Sequence, residues 1–198
     1  TAQADPFRIA DLKDVEANII HLGTLLADDF SLEVIKHLAT RSTLAADVQG
    51  FLRKVENEKV YPVDWIEKKE ALKYIHTLKA NESEMEVLTG CNEPHEAALL
   101  IADWGVKTVL LTLGDKGSLI YSGGQFYDIP AYPTLKVVDA TGCGDTYMAG
   151  YLYKRSLGAS YQEAGCFAAA MCTIKLQSHG PFCGTEESVN AIISSIRY

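Results

Sequence analysis

Apolar residues fall along this chain in short blocks, and the spacing between them switches between two periods. Asn18–Leu26 (NIIHLGTLL), Thr43–Val48 (TLAADV), Tyr74–Lys79 (YIHTLK) and Lys107–Leu113 (KTVLLTL) are compact runs of Ile, Leu, Val and Thr, the pattern of strands. Lys107–Leu113 is apolar almost throughout, as a strand covered on both faces is. Between these runs the apolar positions take helical spacing: Ala27–Thr40 with Ser31 placed to cap it, Glu67–Tyr74, Ser83–Leu88 and Glu93–Trp104. Further on, Ser118–Ser122 and Gln125–Ile129 flank a Gly-Gly pair and predict a hairpin. Lys136–Val138 reads as a short strand, and Gly144–Ser156, Tyr161–Leu176 and Ser188–Ile196 read as helices. Strands alternating with helices imply a layered α/β domain with a mainly parallel sheet. No internal repeat or linker interrupts the pattern, so one domain over residues 1–198 is expected.

Composition narrows the class. The 198 residues are 47% hydrophobic and 22% charged, enough for a real core and unlike a disordered chain. No apolar run approaches the roughly 20 residues of a membrane span. A net charge of -8 weighs against nucleic acid as a partner, because phosphate backbones require basic patches. It leaves a nucleotide open, because backbone N–H groups alone can cradle a phosphate. The 5 cysteines are odd in number and lack C-x-x-C spacing, so neither zinc nor a disulfide framework is expected; reduced thiols suit a cytoplasmic protein. The first residues are polar, without the apolar core of a signal peptide, and the chain opens on Thr1 and not on methionine. A chain processed, trimmed or cut from something longer, or else a natural short form, is the expectation. His21, His37, His76, His95 and His179 show no ligand spacing. Neither G-x-x-x-x-G-K-[ST] nor a G-x-G-x-x-G following a strand occurs, which removes the Walker loop and the dinucleotide fold.

The chemistry concentrates in Asp139-Ala140-Thr141-Gly142-Cys143-Gly144-Asp145, at the opening of a predicted helix. Two glycines around one small residue let the backbone turn tightly. Free N–H groups at a helix start converge on one spot and, with the helix dipole, attract an anion. Asp145 then sits in the first turn, its carboxylate beside the anion site. The task that fits a carboxylate there is deprotonating a hydroxyl while the amides hold a phosphoryl group. Two further elements precede it. Asn81-Glu82-Ser83-Glu84 is N-x-x-E, which reads equally as a helix capping box. Thr112-Leu113-Gly114-Asp115-Lys116-Gly117 follows the strongest strand, where α/β folds bind ligands, and reads equally as a β-turn.

The string D-A-T-G-C-G-D resembles the second signature of the PfkB/ribokinase-type carbohydrate kinases, D-T-x-G-A-G-D, with Cys143 in place of the usual Ala. N-x-x-E and T-L-G-x-x-G occur in the family's order. The resemblance runs from about His21 to the end and covers the later, nucleotide-binding and catalytic portion of that fold. It implies a ribokinase-like layered α/β/α architecture with a mainly parallel sheet, its N-terminal part and β-rich lid absent from this chain. It implies an ATP-dependent kinase that transfers the γ-phosphoryl group to a hydroxyl of a sugar, a cyclitol or a nucleoside. In that reading Asp145 is the base, and Gly142, Cys143 and Gly144 form the anion hole. Asn81 and Glu84 organise phosphates and Mg²⁺, Glu84 through water, while Thr112, Gly114 and Gly117 line ATP. Ala169 and Cys172 fall where the family builds its adenine pocket, though close helix packing explains such residues as well. Asp139 and Thr141 match positions near which many members hold K⁺. Asp47, Gln49 and Arg53 resemble the D-x-N-x-R of some sugar-acid kinases, with Gln for Asn and the Arg two residues late. A homodimer is compatible with the resemblance. The rival class is a non-catalytic nucleotide-binding or assembly domain derived from such a kinase, which would have no use for a base.

Overall fold

The computed structural model describes residues 4–195. Ile196, placed at the end of the last predicted helix, lies outside them. The chain divides into two compact units, Thr1–Leu111 and Thr112–Tyr198.

The first unit alternates strands and helices, as the spacing predicts. It contains β1 (Ile19–Gly23), α1 (Leu32–Ala39), β2 (Thr43–Asp47), β3 (Arg53–Glu56), β4 (Lys59–Pro62), α2 (Lys68–Ala71), β5 (Thr77–Asn81), α3 (Glu82–Thr89), α4 (Pro94–Asp103) and β6 (Thr108–Thr112), whose last residue crosses the unit boundary. The sheet runs β1-β2-β5-β6. β2 lies parallel to both β1 and β5, with Ala45 opposite His21 on one side and Thr77 on the other. Leu44, Ala45, Ala46, Leu78, Ala80, Val109, Leu110 and Leu111 are all buried, which accounts for the continuous apolar runs. Ser31 caps α1, its Oγ accepting from the Val34 N–H at 3.3 Å. Val34, Ile35 and Leu38 then form the helix's core face, spaced as an amphipathic helix requires.

Two local expectations shift, and one hairpin adds to them. β5 starts at Thr77 and not at Tyr74, because Leu72–Tyr74 extends α2 as a 3-10 turn. Lys136–Val138 forms no strand; it is a connecting segment whose Val138 N–H donates to the Leu176 carbonyl at 2.7 Å. The β3–β4 hairpin was not foreseen. Its turn puts Asn57 and Glu58 at φ 50 and 61, a shape usually announced by Asn-Gly, and its strands are almost wholly exposed, so no buried face marks them.

The second unit holds the hairpin β7 (Ser118–Ser122) and β8 (Gln125–Ile129), then α5 (Cys143–Ser156), α6 (Tyr161–Lys175) and α7 (Glu186–Ser195). β7 and β8 are antiparallel, with Ser118 opposite Ile129. α5 and α6 lie close because Gly150 faces α6: a Cβ there would stand 2.5 Å from Met171 Sδ and 3.2 Å from Ala168 Cα. Tyr147 of α5 is buried and shares a 2.7 Å hydrogen bond with Ser118 Oγ of β7. Burial pushes the Tyr147 hydroxyl well above the ordinary phenol range and keeps it neutral. α6 and α7 enclose a cluster of Tyr132, Phe167, Ala170 and Val189. Among the described residues, no helix is long and apolar enough to cross a membrane.

Candidate active site

Every residue of the Asp139–Asp145 string belongs to the second unit. Gly142 precedes α5 at φ 79 and ψ 6, a left-handed conformation that glycine adopts at little cost. A Cβ there would meet only Asp145 Oδ2 at 4.0 Å, so backbone conformation and not crowding selects glycine. Cys143, Gly144 and Asp145 form the first turn of the helix. Helix geometry leaves the N–H groups of a first turn without intrahelical acceptors. That of Cys143 donates to the Ala140 carbonyl at 3.1 Å, closing the turn. Those of Gly144 and Asp145 come next at the helix start, and the Asp145 side chain is exposed beside them. Thr146 locks the far side: its N–H and Oγ1 both donate to the Gly142 carbonyl, at 2.9 and 2.8 Å.

Asp139 shapes the approach to this turn. Its Oδ1 accepts from the Thr141 N–H at 2.9 Å. That bond, with help from the Thr141 hydroxyl and the Lys175 ammonium, lowers its carboxyl to about 2. Cys172 of α6 aims its thiol at the Cys143 carbonyl, 3.3 Å away. The Cys143 thiol is lowered to about 7, chiefly by the hydrogen bond with Cys172, with Lys175 also favouring the thiolate. Ala169, the other predicted adenine contact, packs against the Tyr132–Phe167 cluster, and its carbonyl accepts from Thr173 Oγ1 at 3.3 Å.

The loop after β6 is a closed turn. The Leu113 N–H donates to the Gly117 carbonyl at 2.8 Å, and the Lys116 N–H donates back to Leu113 at 3.1 Å. Gly114 has φ 61 and open space around it, while Gly117 has φ 95 and lies against the backbone of Ile129–Ala131. The two glycines of this element therefore differ: packing requires one, and the other is free to face a ligand.

Asn81 and Glu84 lie in the first unit and form a reciprocal capping box. Asn81 Oδ1 accepts from the Glu84 N–H, and Glu84 Oε2 accepts from the Asn81 N–H, each at 2.9 Å. Glu84 is buried. No group of three or more acidic, His or Cys side chains among the described residues could cage a metal. Also in this unit, Asp47 is buried with Lys79, whose Nζ lies 3.0 Å from Asp47 Oδ1, and His21 Nε2 lies 3.7 Å from Asp47 Oδ2. The sequence reading singled out Asp47 but missed Lys79, which sits inside an apolar strand two residues before Asn81. With its amide oxygen facing Arg53, Gln49 accepts from Nη1 and Nη2 at 2.7 and 2.6 Å, so Arg53 is held within its own segment.

The fold and the signature define a class, the ribokinase-like kinases. The description "pfkB family carbohydrate kinase" matches residues 5–186. The chain belongs to that family. Among curated relatives, a cytidine kinase of Thermococcus kodakarensis is 33% identical over 115 residues, 55% of this chain and 41% of its own length. The chain thus spans less than half the length of that relative. Among solved structures, a pyrophosphate-dependent kinase in the ribokinase family, complexed with a pyrophosphate analog and myo-inositol, is 33% identical with a TM-score of 0.85. That match covers 96% of this chain and 68% of the other. Arabidopsis thaliana ribokinase complexed with ribose and ATP is 28% identical with a TM-score of 0.77, over 96% of this chain and 60% of the other.

Proposed function

We propose that this chain carries the catalytic portion of a kinase that transfers the γ-phosphoryl group of ATP to a hydroxyl of a sugar or similar small polyol, with Asp145 as general base. The observation that carries this reading is the placement of Asp145 in the first turn of α5, beside backbone N–H groups that the helix leaves open. Bound there, a phosphoryl group has its developing negative charge met by the amides and by the helix dipole. Asp145 takes the proton of the acceptor hydroxyl as its oxygen attacks phosphorus. Mg²⁺, when bound, neutralises charge on the donor phosphates. The cytidine kinase and the inositol and ribose complexes support sugars, cyclitols and nucleosides alike as acceptor classes.

The donor has a second reading. An amide-lined site recognises phosphate and not a base, and the inositol-bound neighbour is pyrophosphate-dependent. The decisive experiment is a phosphorylation screen of sugars, cyclitols and nucleosides on the full gene product, with ATP and with pyrophosphate as donors. Turnover of at least one acceptor is expected. Tight nucleotide binding without turnover of any acceptor would favour the non-catalytic binding domain.

Glu84→Gln separates two roles of one side chain. Gln also closes a capping box, so the unfolding free energy is expected to change by less than about 1 kcal/mol. If Glu84 also orders metal-bound water, the Mg²⁺ concentration for half-maximal rate rises several-fold. An unchanged Mg²⁺ dependence would leave Glu84 as a helix cap alone.

A further inference from the structure

The last residue of α6 carries its charge into the interior. Lys175 is 1% exposed, among the most buried side chains of the protein. Its Nζ lies 2.9 Å from the Asp139 carbonyl oxygen, 3.4 Å from Asp139 Oδ2 and 3.4 Å from the Ser178 carbonyl oxygen. A lysine ammonium has three N–H donors and a compact charge, and here it meets three oxygens. Backbone carbonyls with a carboxylate are also how proteins replace the water shell of a monovalent metal cation. Burying such a charge is costly unless it is paired and hydrogen-bonded, and here it is both.

We infer that the Lys175 ammonium is a built-in monovalent cation, so that this chain does without K⁺ at the position that Asp139 and Thr141 suggest. The inference rests on reading Asp139–Asp145 as the phosphoryl site and deepens it. Thr141 gives its N–H to Asp139 Oδ1, while the Lys175 ammonium takes Oδ2 and the backbone carbonyl of the same residue. A metal cation at those oxygens would meet the ammonium at close range, and like charges repel. The exposed His179 ring lies 3.9 Å from Asp139 Oδ2, on the solvent side of the same carboxylate. Lys175 touches no reacting atom. It is a positioning residue: it holds Asp139, Asp139 holds Thr141, and the turn into Gly142–Asp145 follows. The Leu176 carbonyl, which takes the Val138 N–H at 2.7 Å, anchors the same segment from the end of α6.

The test is a K⁺ titration from zero at constant ionic strength, balanced with choline, on the full protein and on Lys175→Met, which keeps the stem and removes the charge. Thermal midpoint and initial rate are both read. For the unaltered protein neither is expected to move, with the rate constant to within twofold. For Lys175→Met the midpoint falls in K⁺-free buffer and rises again with K⁺ or ammonium, and the rate follows it. A several-fold K⁺ activation or a K⁺-dependent midpoint in the unaltered protein overturns the inference, as does a Lys175→Met protein indifferent to cations. The unaltered protein decides the matter even if the variant misfolds. Should no acceptor be phosphorylated at all, the kinase reading fails while the thermal midpoint still judges Lys175.

Discussion

Asp145→Asn is expected to leave the protein folded and its phosphate donor bound, while kcat falls by about 10²–10⁴, the usual worth of a positioned base. The fold survives because Asp145 is exposed in the first turn of α5. A carboxylate there gains about 0.3–1 kcal/mol from the helix dipole, and that is all the substitution removes from stability. The donor stays bound because the amides of the turn are backbone groups that the substitution does not alter. An asparagine of nearly the same shape cannot take the acceptor's proton. Calorimetry with donor, beside steady-state kinetics, separates the two effects. Turnover within a few-fold of the unaltered protein would remove Asp145 from the proposed mechanism, and loss of donor binding in step with kcat would make it a binding residue.

Gly117→Ala is expected to cost about 4 kcal/mol or more, at the extreme of what single substitutions do. The position has φ 95, and a Cβ would stand 2.1 Å from the Ile129 carbonyl oxygen, 2.9 Å from the Ala131 nitrogen and 3.0 Å from the Pro130 carbonyl carbon. All three are backbone atoms, so no rotamer change relieves the clash. Gly114→Ala is the control within the same loop. Its φ of 61 is left-handed, but nothing lies within 4 Å, so the cost is about 1–2 kcal/mol. Urea unfolding of both proteins gives the comparison. Equal, small losses would show that the loop adapts and that the close approach is not structural. With the fold kept, a raised donor KM in Gly114→Ala would mark that glycine as the one facing phosphate.

Much of the architecture was legible in the order of residues alone. The apolar runs at Thr43–Val48 and Lys107–Leu113 read as buried strands, and they are buried in β2 and β6. Ser31 and Asn81 announced their helices because caps are local chemistry, settled within four residues. The small-residue string before α5 announced a tight turn and a helix start for the same reason, and the structure adds that Gly142 makes the turn in a left-handed conformation. The β3–β4 hairpin stayed hidden because its strands bury almost nothing, and periodicity reports burial.

What the sequence by itself determined is therefore local: most of the buried strands and capped helices, where Asp145 stands on its helix, and the family to which the string Asp139–Asp145 belongs. Tertiary structure alone decided which groups face one another. Lys175 looks in the sequence like the usual basic residue at a helix end, favourable to the dipole and open to water. Only the fold brings Asp139, 36 residues earlier, against it, and turns a solvated charge into a buried one. The same holds for Cys172 at the Cys143 carbonyl and for Gly117 against Ile129. Side-chain identity sets what a group can do, but its charge state, its partners and its freedom to move depend on distances between residues far apart in the chain. Those distances exist only once the helices and strands have packed.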